Sequence, residues 1–331
     1  MRHLAVTTPP VLLAALLAVC LAASACAPTF NLLGAPDAPY AEQTVSGQGD
    51  GKILLLSIDG LISEYGGEGL LRPKPSVLEQ VSAQLKLARK DTNIKALLLK
   101  VNSPGGTVTA SDVIHHELAA YRRETGVKVV TMMMGLATSG GYYVSLPSDR
   151  ILAHPTTITG SVGVVFLQPR VAGLLDKIGV GVDVSKSGAL KDMGSPFREP
   201  TDEERRLTDA LVAAQAARFL DLVQASRRLA PQALATAATA RVFTAAEAKD
   251  LGLIDGVGYM EDAVAEAAAL AGLPADARVV CYRRRPGPNP TWHQTGVEAA
   301  DPRPALLHVG LEDLLPMRAG LYALWTPGLA R

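Results

Sequence analysis

Apolar and polar positions along the chain fall into short apolar runs separated by segments with a helical period. Residues 53–58, 94–101 and 127–133 are nearly unbroken apolar runs of strand length. Strands of that kind lie inside a sheet covered on both faces. Between the first two, Val77, Val81, Leu85 and Ala88 recur on one face of a helix that Ser76 can cap and that runs to Arg89. Thr109 or Ser111 opens a second helix through Glu124. Residues 150–153, 159–164, 180–184 and 277–282 read as further strands, and 168–178 as a helix. Thr201 with Glu204 three residues on forms a capping box. The helix it starts runs to about Arg228, with Leu207, Leu211, Phe219 and Leu222 on one face. Shorter helices follow at 231–238, 244–251 and 262–270. Strands alternating with helices predict an α/β fold with mainly parallel β-sheet and flanking helices.

Both ends break the pattern. Arg2 and His3 precede an apolar run from Val11 to Ala23, followed by Ser24, Ala25 and Cys26. That is the layout of an export signal, residues 1–25. Ala-Ser-Ala-Cys is similar to a bacterial lipobox, which makes Cys26 the lipidated first residue of the mature chain. An uncleaved membrane anchor and a plain cleaved signal are the competing readings, and all three export the protein. Residues 26–50, rich in Pro, Gly and Ala, read as a tether. The folded domain is expected over 51–285. Residues 286–331 combine prolines with a run of leucines, Tyr322 and Trp325, a tail too apolar to lie free in water. It is expected to pack on the core or on a neighbouring subunit.

Composition narrows the function classes. With 48% apolar and 19% charged residues among 331, the bulk is globular. The 32 basic residues balance the 32 acidic ones, and no basic patch interleaved with aromatics suggests a nucleic-acid partner. Of three cysteines, Cys20 leaves with the signal and Cys26 takes lipid, so Cys281 is expected as a buried thiol with no disulfide. No metal-ligand cluster, phosphate loop or internal repeat is present in the sequence, and no cofactor is expected.

The candidate chemistry sits at the ends of strands. Ser139 follows an apolar strand and stands before Gly140-Gly141 and the start of a helix. From these residues alone it is either a nucleophile or an N-cap serine in a tight turn. Gly105-Gly106 follow another strand, where the missing Cβ suits close approach of a substrate carbonyl. Lys186 and Lys191 lie in a Gly/Ser-rich stretch. A lysine acts as a base only when neutral, and bringing its ordinary pKa of about 10.4 down to 7–8 takes about 4 kcal/mol of desolvation. His115 and His116, neighbours on a helix, read as surface residues, and His154 is the rival base.

Five stretches in order carry a resemblance: NSPGG at 102–106, ATSGGYY at 137–143, TGSVGV at 159–164, KSGALKDMGSPFR at 186–198 and RVFTAAEAKDLGLIDGVG at 241–258. The chain resembles the serine–lysine proteases of the signal peptide peptidase A (protease IV) family over roughly residues 50–285. The resemblance implies a Clp protease/crotonase-like fold and peptide hydrolysis through an acyl-enzyme. It implies Ser139 as nucleophile, Lys191, the lysine before Asp192, as base, and Ser161 as the residue that orients it. It implies an oxyanion hole between the Gly140 amide and an amide at Gly105 or Gly106. Peptide substrates near the membrane, signal-peptide remnants among them, and an octamer-like ring of identical subunits follow from the same resemblance. An acyl-CoA enzyme of related fold and a non-catalytic lipoprotein scaffold are the alternatives. Export argues against the first and the intact serine–lysine set against the second.

Overall fold

The structure, a computed structural model, describes residues 39–66, 75–284, 291–293 and 320–325. The apolar runs become the centre of a nine-stranded sheet. Its strands are β1 (Ala41–Ser46), β2 (Gly49–Asp59), β3 (Ile94–Ser103), β5 (Lys128–Thr138), β6 (Arg150–Ala153), β7 (Ile158–Gly160), β9 (Val242–Thr244), β10 (Gly256–Val257) and β11 (Ala277–Arg283). The order is β1-β11-β2-β3-β5-β6-β10, with β7 continuing beside the far end of β5 and β9 beside β7. All pairs are parallel except β1–β11 and β7–β9 at the margins. Three short strands, β4 (Gly105–Thr107), β12 (Gly320–Leu324) and β8 (Val165–Leu167), form a separate antiparallel sheet with β12 in the middle.

Helices cover both faces of the large sheet. α1 (Val77–Ala88), α2 (Val108–Thr125), α3 (Gly140–Ser145) and the second half of α5 (Asp202–Arg227) take one side. There Leu54, Leu56, Ile58, Leu97 and Leu99 are wholly buried against Leu85, Ile114 and Phe219. The alternate residues Ile53, Leu55, Ala96, Leu98, Val130 and Met132 face α8 (Met260–Ala271). Each fully buried Leu or Ile contributes about 1.5–3 kcal/mol, so this double-faced core fixes the frame on which the strand ends are placed. The remaining helices are α4 (Ala172–Ile178), α6 (Pro231–Ala237) and α7 (Ala245–Asp250). The expected α/β fold of mainly parallel sheet with flanking helices is present.

Helix starts follow their capping chemistry. Ser76 with Glu79 and Thr201 with Glu204 form reciprocal capping boxes at α1 and α5. The second helix starts earlier than expected, because Thr107 rather than Thr109 or Ser111 accepts from the Ala110 amide. Cys281 is a buried free thiol in β11, and burial raises its pKa.

Three expectations are corrected. The tether does not reach residue 50: Ala41–Ser46 is an edge strand whose half-polar pattern conceals its pairing with β11. Residues 180–184 form no strand; Val180, Val182 and Val184 are 47%, 44% and 49% exposed, so their alternation has no partner here. Leu207 and Leu211, assigned to the buried face of α5, are exposed as well, and burial on that helix begins only at Phe219 apart from Glu204. No residue from Ala172 to Arg198 is buried. The export signal and Cys26 lie outside the described residues. Among the described residues, no helix is long and apolar enough to cross a membrane.

Candidate active site

β5 runs through the middle of the large sheet and delivers Ser139 at its end. The residue takes φ 52° and ψ −113°, a region that costs a non-glycine residue about 1–3 kcal/mol. An N-cap serine instead has extended backbone and an oxygen that accepts from the first turn. Ser139 has neither feature and makes no side-chain cap. The cap reading therefore fails, and the residue sits on a sharp, strained strand-to-helix turn, a geometry in which serine nucleophiles are presented. The strain is held by the frame: the Ser139 amide donates to Gly160 O at 2.7 Å, and the Tyr143 amide donates to Ser139 O at 2.8 Å. Ser139 is wholly buried, and among the described residues its Oγ makes one long hydrogen bond, donated to Gly163 O at 3.4 Å.

The two glycine pairs meet beside it. A Cβ on Gly140 would stand 2.5 Å from Ser111 Oγ and 3.1 Å from Gly105 Cα, so only glycine lets α3 approach β4. Gly105 and Gly106 differ in which main-chain groups are already hydrogen-bonded. The Gly105 amide is already spent on Ser103 Oγ at 3.0 Å. Gly105 O and the Thr107 amide are both spent on Ile62, at 2.9 Å each. Alternation along a strand then turns the amide and carbonyl of Gly106 to the opposite edge, toward β12. The Gly106 amide is thus the one of the pair that faces β12, where Gly106 pairs with Ala323.

Ser161 is also brought in. It follows Gly160, the acceptor of the Ser139 amide, and has φ 53° with its amide on Arg241 O at 2.8 Å. Its hydroxyl has no hydrogen bond among the described residues, and the residue is buried.

Lys191 is not brought in. It is exposed, and its Nζ has no hydrogen bond or ion pair among the described residues. Its neighbour Asp192 turns away to Lys186 Nζ at 2.8 Å and Arg198 Nε at 2.8 Å. Hydrogen bonds from Arg198 and Lys186 hold the Asp192 carboxyl far below the usual range. Arg198 in turn pairs with Glu204, whose pKa those bonds bring to about 2. Lys186 is thus engaged by a carboxylate while Lys191 stays open. His154 bonds Thr156 Oγ1 at 2.8 Å and packs its ring edge-on to Tyr259, with no hydrogen bond to Ser139 among the described residues.

One supporting cluster was not apparent in the sequence. Tyr143 OH, one turn after Ser139, donates to Asp112 Oδ1 at 2.6 Å, and Arg218 donates to the same oxygen at 2.6 Å. Burial pushes the Asp112 pKa up, but these two bonds outweigh it and leave the carboxyl below its ordinary value. The cluster ties α3 to α2 and α5. His115, expected on the surface, packs edge-on to the Tyr143 ring at 5.4 Å, and burial lowers its pKa. His116 is exposed. Asp112 and Arg218 are too far apart in sequence for any local pattern to join them.

A strained serine beside closely packed glycine pairs fits acyl transfer, and comparison with known proteins agrees. A family model described as peptidase family S49 matches residues 121–274, and one described as Clp protease matches 73–155. A candidate protease of Synechocystis sp. is 40% identical over 225 residues, 68% of this chain and 76% of that protein. The chain belongs to peptidase family S49. Other relatives in the family include a candidate signal peptide peptidase SppA of Enterococcus faecium, 37% identical over 67% of this chain. Protease 4 of Salmonella typhi is 40% identical over 59% of it. The chain spans 65% of the Enterococcus protein's length and 31% of the Salmonella protein's. Among solved structures, ClpP1 of Listeria monocytogenes is similar at a TM-score of 0.41 and 19% identity, over 63% of this chain and 93% of that one. That likeness is too slight to carry weight beside the family models.

Proposed function

We propose that the chain is a serine endopeptidase that uses Ser139 as nucleophile and Lys191 as general base. The observation that carries the reading is Ser139 at φ 52° followed by Gly140, which packs against Gly105 closely enough that a Cβ on it would stand 3.1 Å from Gly105 Cα. Ser139 Oγ attacks the peptide carbonyl, and its proton passes to a neutral lysine. The oxyanion is held by the amides of Gly140 and Gly106, the amine leaves with the proton, and water hydrolyses the ester. Ser161, with its open hydroxyl, orients the lysine amine.

Lys191 is the part that one chain leaves unplaced. It sits on a segment with exposed Leu174, Ile178, Val180, Val182, Val184, Leu190 and Phe197. An apolar surface of that extent is a contact surface. Its partner in this reading is a second copy of the chain, in a closed homo-oligomer of the ring kind. Seating the segment there both desolvates the lysine, as a base requires, and carries it to a Ser139. Export, anchoring through lipid on Cys26 and cleavage of signal-peptide remnants near the membrane complete the proposal. They rest on the targeting segment and the family, and the catalytic domain then lies outside the cytoplasm.

A fluorophosphonate-type serine probe tests the core of it. Labelling of the native chain at Ser139, lost in Ser139→Ala, is the expected result. An unlabelled native chain that is folded and assembled would rule the peptidase reading out, and the non-catalytic scaffold would take its place.

A further inference from the structure

We propose that Tyr143, Asp112 and Arg218 are positioning residues of this site, a tie that sets the spacing between the two backbone units supplying the oxyanion donors. The proposal rests on the peptidase reading above, in which one donor is the Gly140 amide on α3 and the other the Gly106 amide on β4.

α3 needs outside support. It has six residues, and a helix that short is not stable by itself. It also starts from the strained backbone of Ser139, at φ 52°. Its place must therefore be fixed by side chains that reach other elements. Two adjacent tyrosines do this, in directions about 100° apart around the helix. Tyr142 OH donates to Leu253 O at 2.8 Å, and Tyr143 OH donates to Asp112 Oδ1 at 2.6 Å. The Tyr143 amide also donates to Ser139 O at 2.8 Å, so the tied residue is bonded through its main chain to the nucleophile.

Where the Tyr143 bond lands gives it its role. Asp112 lies on α2, which begins at Val108, directly after β4. β4 and α2 are one continuous segment, so a bond from α3 to α2 fixes α3 relative to Gly106. The preceding residue, Ser111, makes the contact at the start of α3. A Cβ on Gly140 would stand 2.5 Å from Ser111 Oγ, and that hydroxyl is itself donated to Thr107 O of β4 at 2.9 Å. Consecutive residues of α2 thus touch the first and fourth residues of α3. Ser111 against Gly140 limits how closely the two units approach, and Tyr143 with Asp112 keeps them from parting.

Arg218 strengthens the tie. A hydroxyl bonded to an ionised carboxylate makes a stronger bond than one to a neutral acceptor. Burial alone would raise the Asp112 pKa, and the bonds from Tyr143 and Arg218 bring it below its ordinary value. Burial and the neighbouring Asp112 carboxylate raise the Tyr143 pKa, which keeps the phenol a donor. Arg218 donates to the same Oδ1 at 2.6 Å, and the next residue on α5, Phe219, packs its ring on Tyr143 at 4.7 Å. The Arg218 side chain is 57% exposed, and ion pairs of that exposure contribute little to folding. Its effect is therefore read in the site and not in global stability.

The test uses the full chain, an apolar tripeptide coumarin amide as substrate and the tripeptide aldehyde of the same sequence as inhibitor. The aldehyde adds Ser139 Oγ to its carbonyl carbon and leaves the oxygen in the oxyanion position, with nothing cut. Tyr143→Phe keeps the ring packing and removes only the bond. It should lower kcat about tenfold with KM within about twofold, because the oxyanion forms only in the transition state. The aldehyde's inhibition constant should rise by the same factor. Asp112→Ala should match it, and the double variant should be no worse than either, since the two residues act as one unit. Asp112→Asn keeps an acceptor for the tyrosine and should recover most of the loss. Arg218→Met should lower kcat by a smaller factor with thermal unfolding unchanged. Native kcat in Tyr143→Phe and Asp112→Ala, a loss that spares aldehyde affinity, or losses that multiply in the double variant would each overturn the proposal. Amide hydrogen exchange over residues 139–145 separates it from the peptidase reading. Faster exchange there in Tyr143→Phe, with a native chain that turns over no peptide, would support the tie and count against the peptidase reading alone. Unchanged exchange would overturn the tie.

Discussion

The two halves of the proposed dyad are built differently. Ser139 is wholly buried, strained and held by main-chain bonds on both sides. Lys191 is exposed on a segment with no buried residue from Ala172 to Arg198. The serine side stands on a double-faced core, so its cost in backbone strain is absorbed by hydrophobic burial. Among the described residues the lysine side is tied down by the ion pairs of Arg198 with Asp192 and Glu204 and by the Val171 amide on Pro196 O at 2.8 Å. Among the described residues nothing buries its apolar side chains. A site can thus be half specified by one polypeptide, with the other half specified by whatever covers that surface.

The largest effects should come from removing either half. Ser139→Ala and Lys191→Arg are each expected to lower kcat/KM by about 10⁴-fold or more. Thermal unfolding should be unchanged within experimental scatter for Lys191→Arg, since the residue is exposed and its Nζ has no hydrogen bond or ion pair among the described residues. Lys186→Ala, by contrast, should retain activity, and His154→Ala should retain it too. An inactive His154→Ala with an active Lys191→Arg would transfer the role of base to the histidine.

Next in size are changes that separate the two regions. Gly140→Val places side-chain atoms where Ser111 Oγ and the Ala323 oxygen already stand. It should destabilise by about 1–3 kcal/mol as an overpacked site and lower kcat by about 10²-fold or more. Val182→Asp lies on the exposed segment and should cost the single chain under about 0.5 kcal/mol. It should nonetheless lose assembly in sedimentation, and with it activity. Sedimentation and turnover like the parent's would show that this surface has no partner.

The smallest effect is a pH dependence of stability inside the frame. Burial pushes the Asp255 pKa up, but two Arg227 bonds at 3.0 and 2.9 Å and the Ile151 amide at 2.7 Å outweigh it and hold the carboxyl below its ordinary value. A depressed carboxylate contributes stability that is full above its unfolded value of about 4 and lost as pH falls through the folded value. Asp255→Asn should cost about 1–3 kcal/mol near neutrality and flatten the acid limb of the unfolding midpoint against pH. An unchanged acid limb would move that dependence to other carboxylates.

Local signals located what is local. The apolar runs at 53–58 and 94–101, the Ser76 and Thr201 caps and the Ser139-Gly140-Gly141 turn were all legible, because strand burial, capping and glycine turns leave marks within a few residues. Long-range pairing was not legible. β1 and β12 are short and irregular in pattern, and each finds its partner across most of the chain. Which way the Gly105 and Gly106 amides face depends on the main-chain groups that Ile62 has taken, which no spacing reveals. The alternating valines 180, 182 and 184 show the converse: a strand-like pattern states what a segment can pair with, and the partner has to exist.

The central claim is that the lysine half of the site is supplied by a second copy of the chain. Ser139→Ala and Lys191→Arg chains, each inactive alone, are mixed one to one under conditions that exchange subunits, and turnover of a peptide amide is measured. If every site takes its serine from one copy and its lysine from the next, about a quarter of the sites are whole and about a quarter of the native activity returns. If serine and lysine belong to the same copy, no mixed site is whole, and a mixture as inactive as its components would contradict the account.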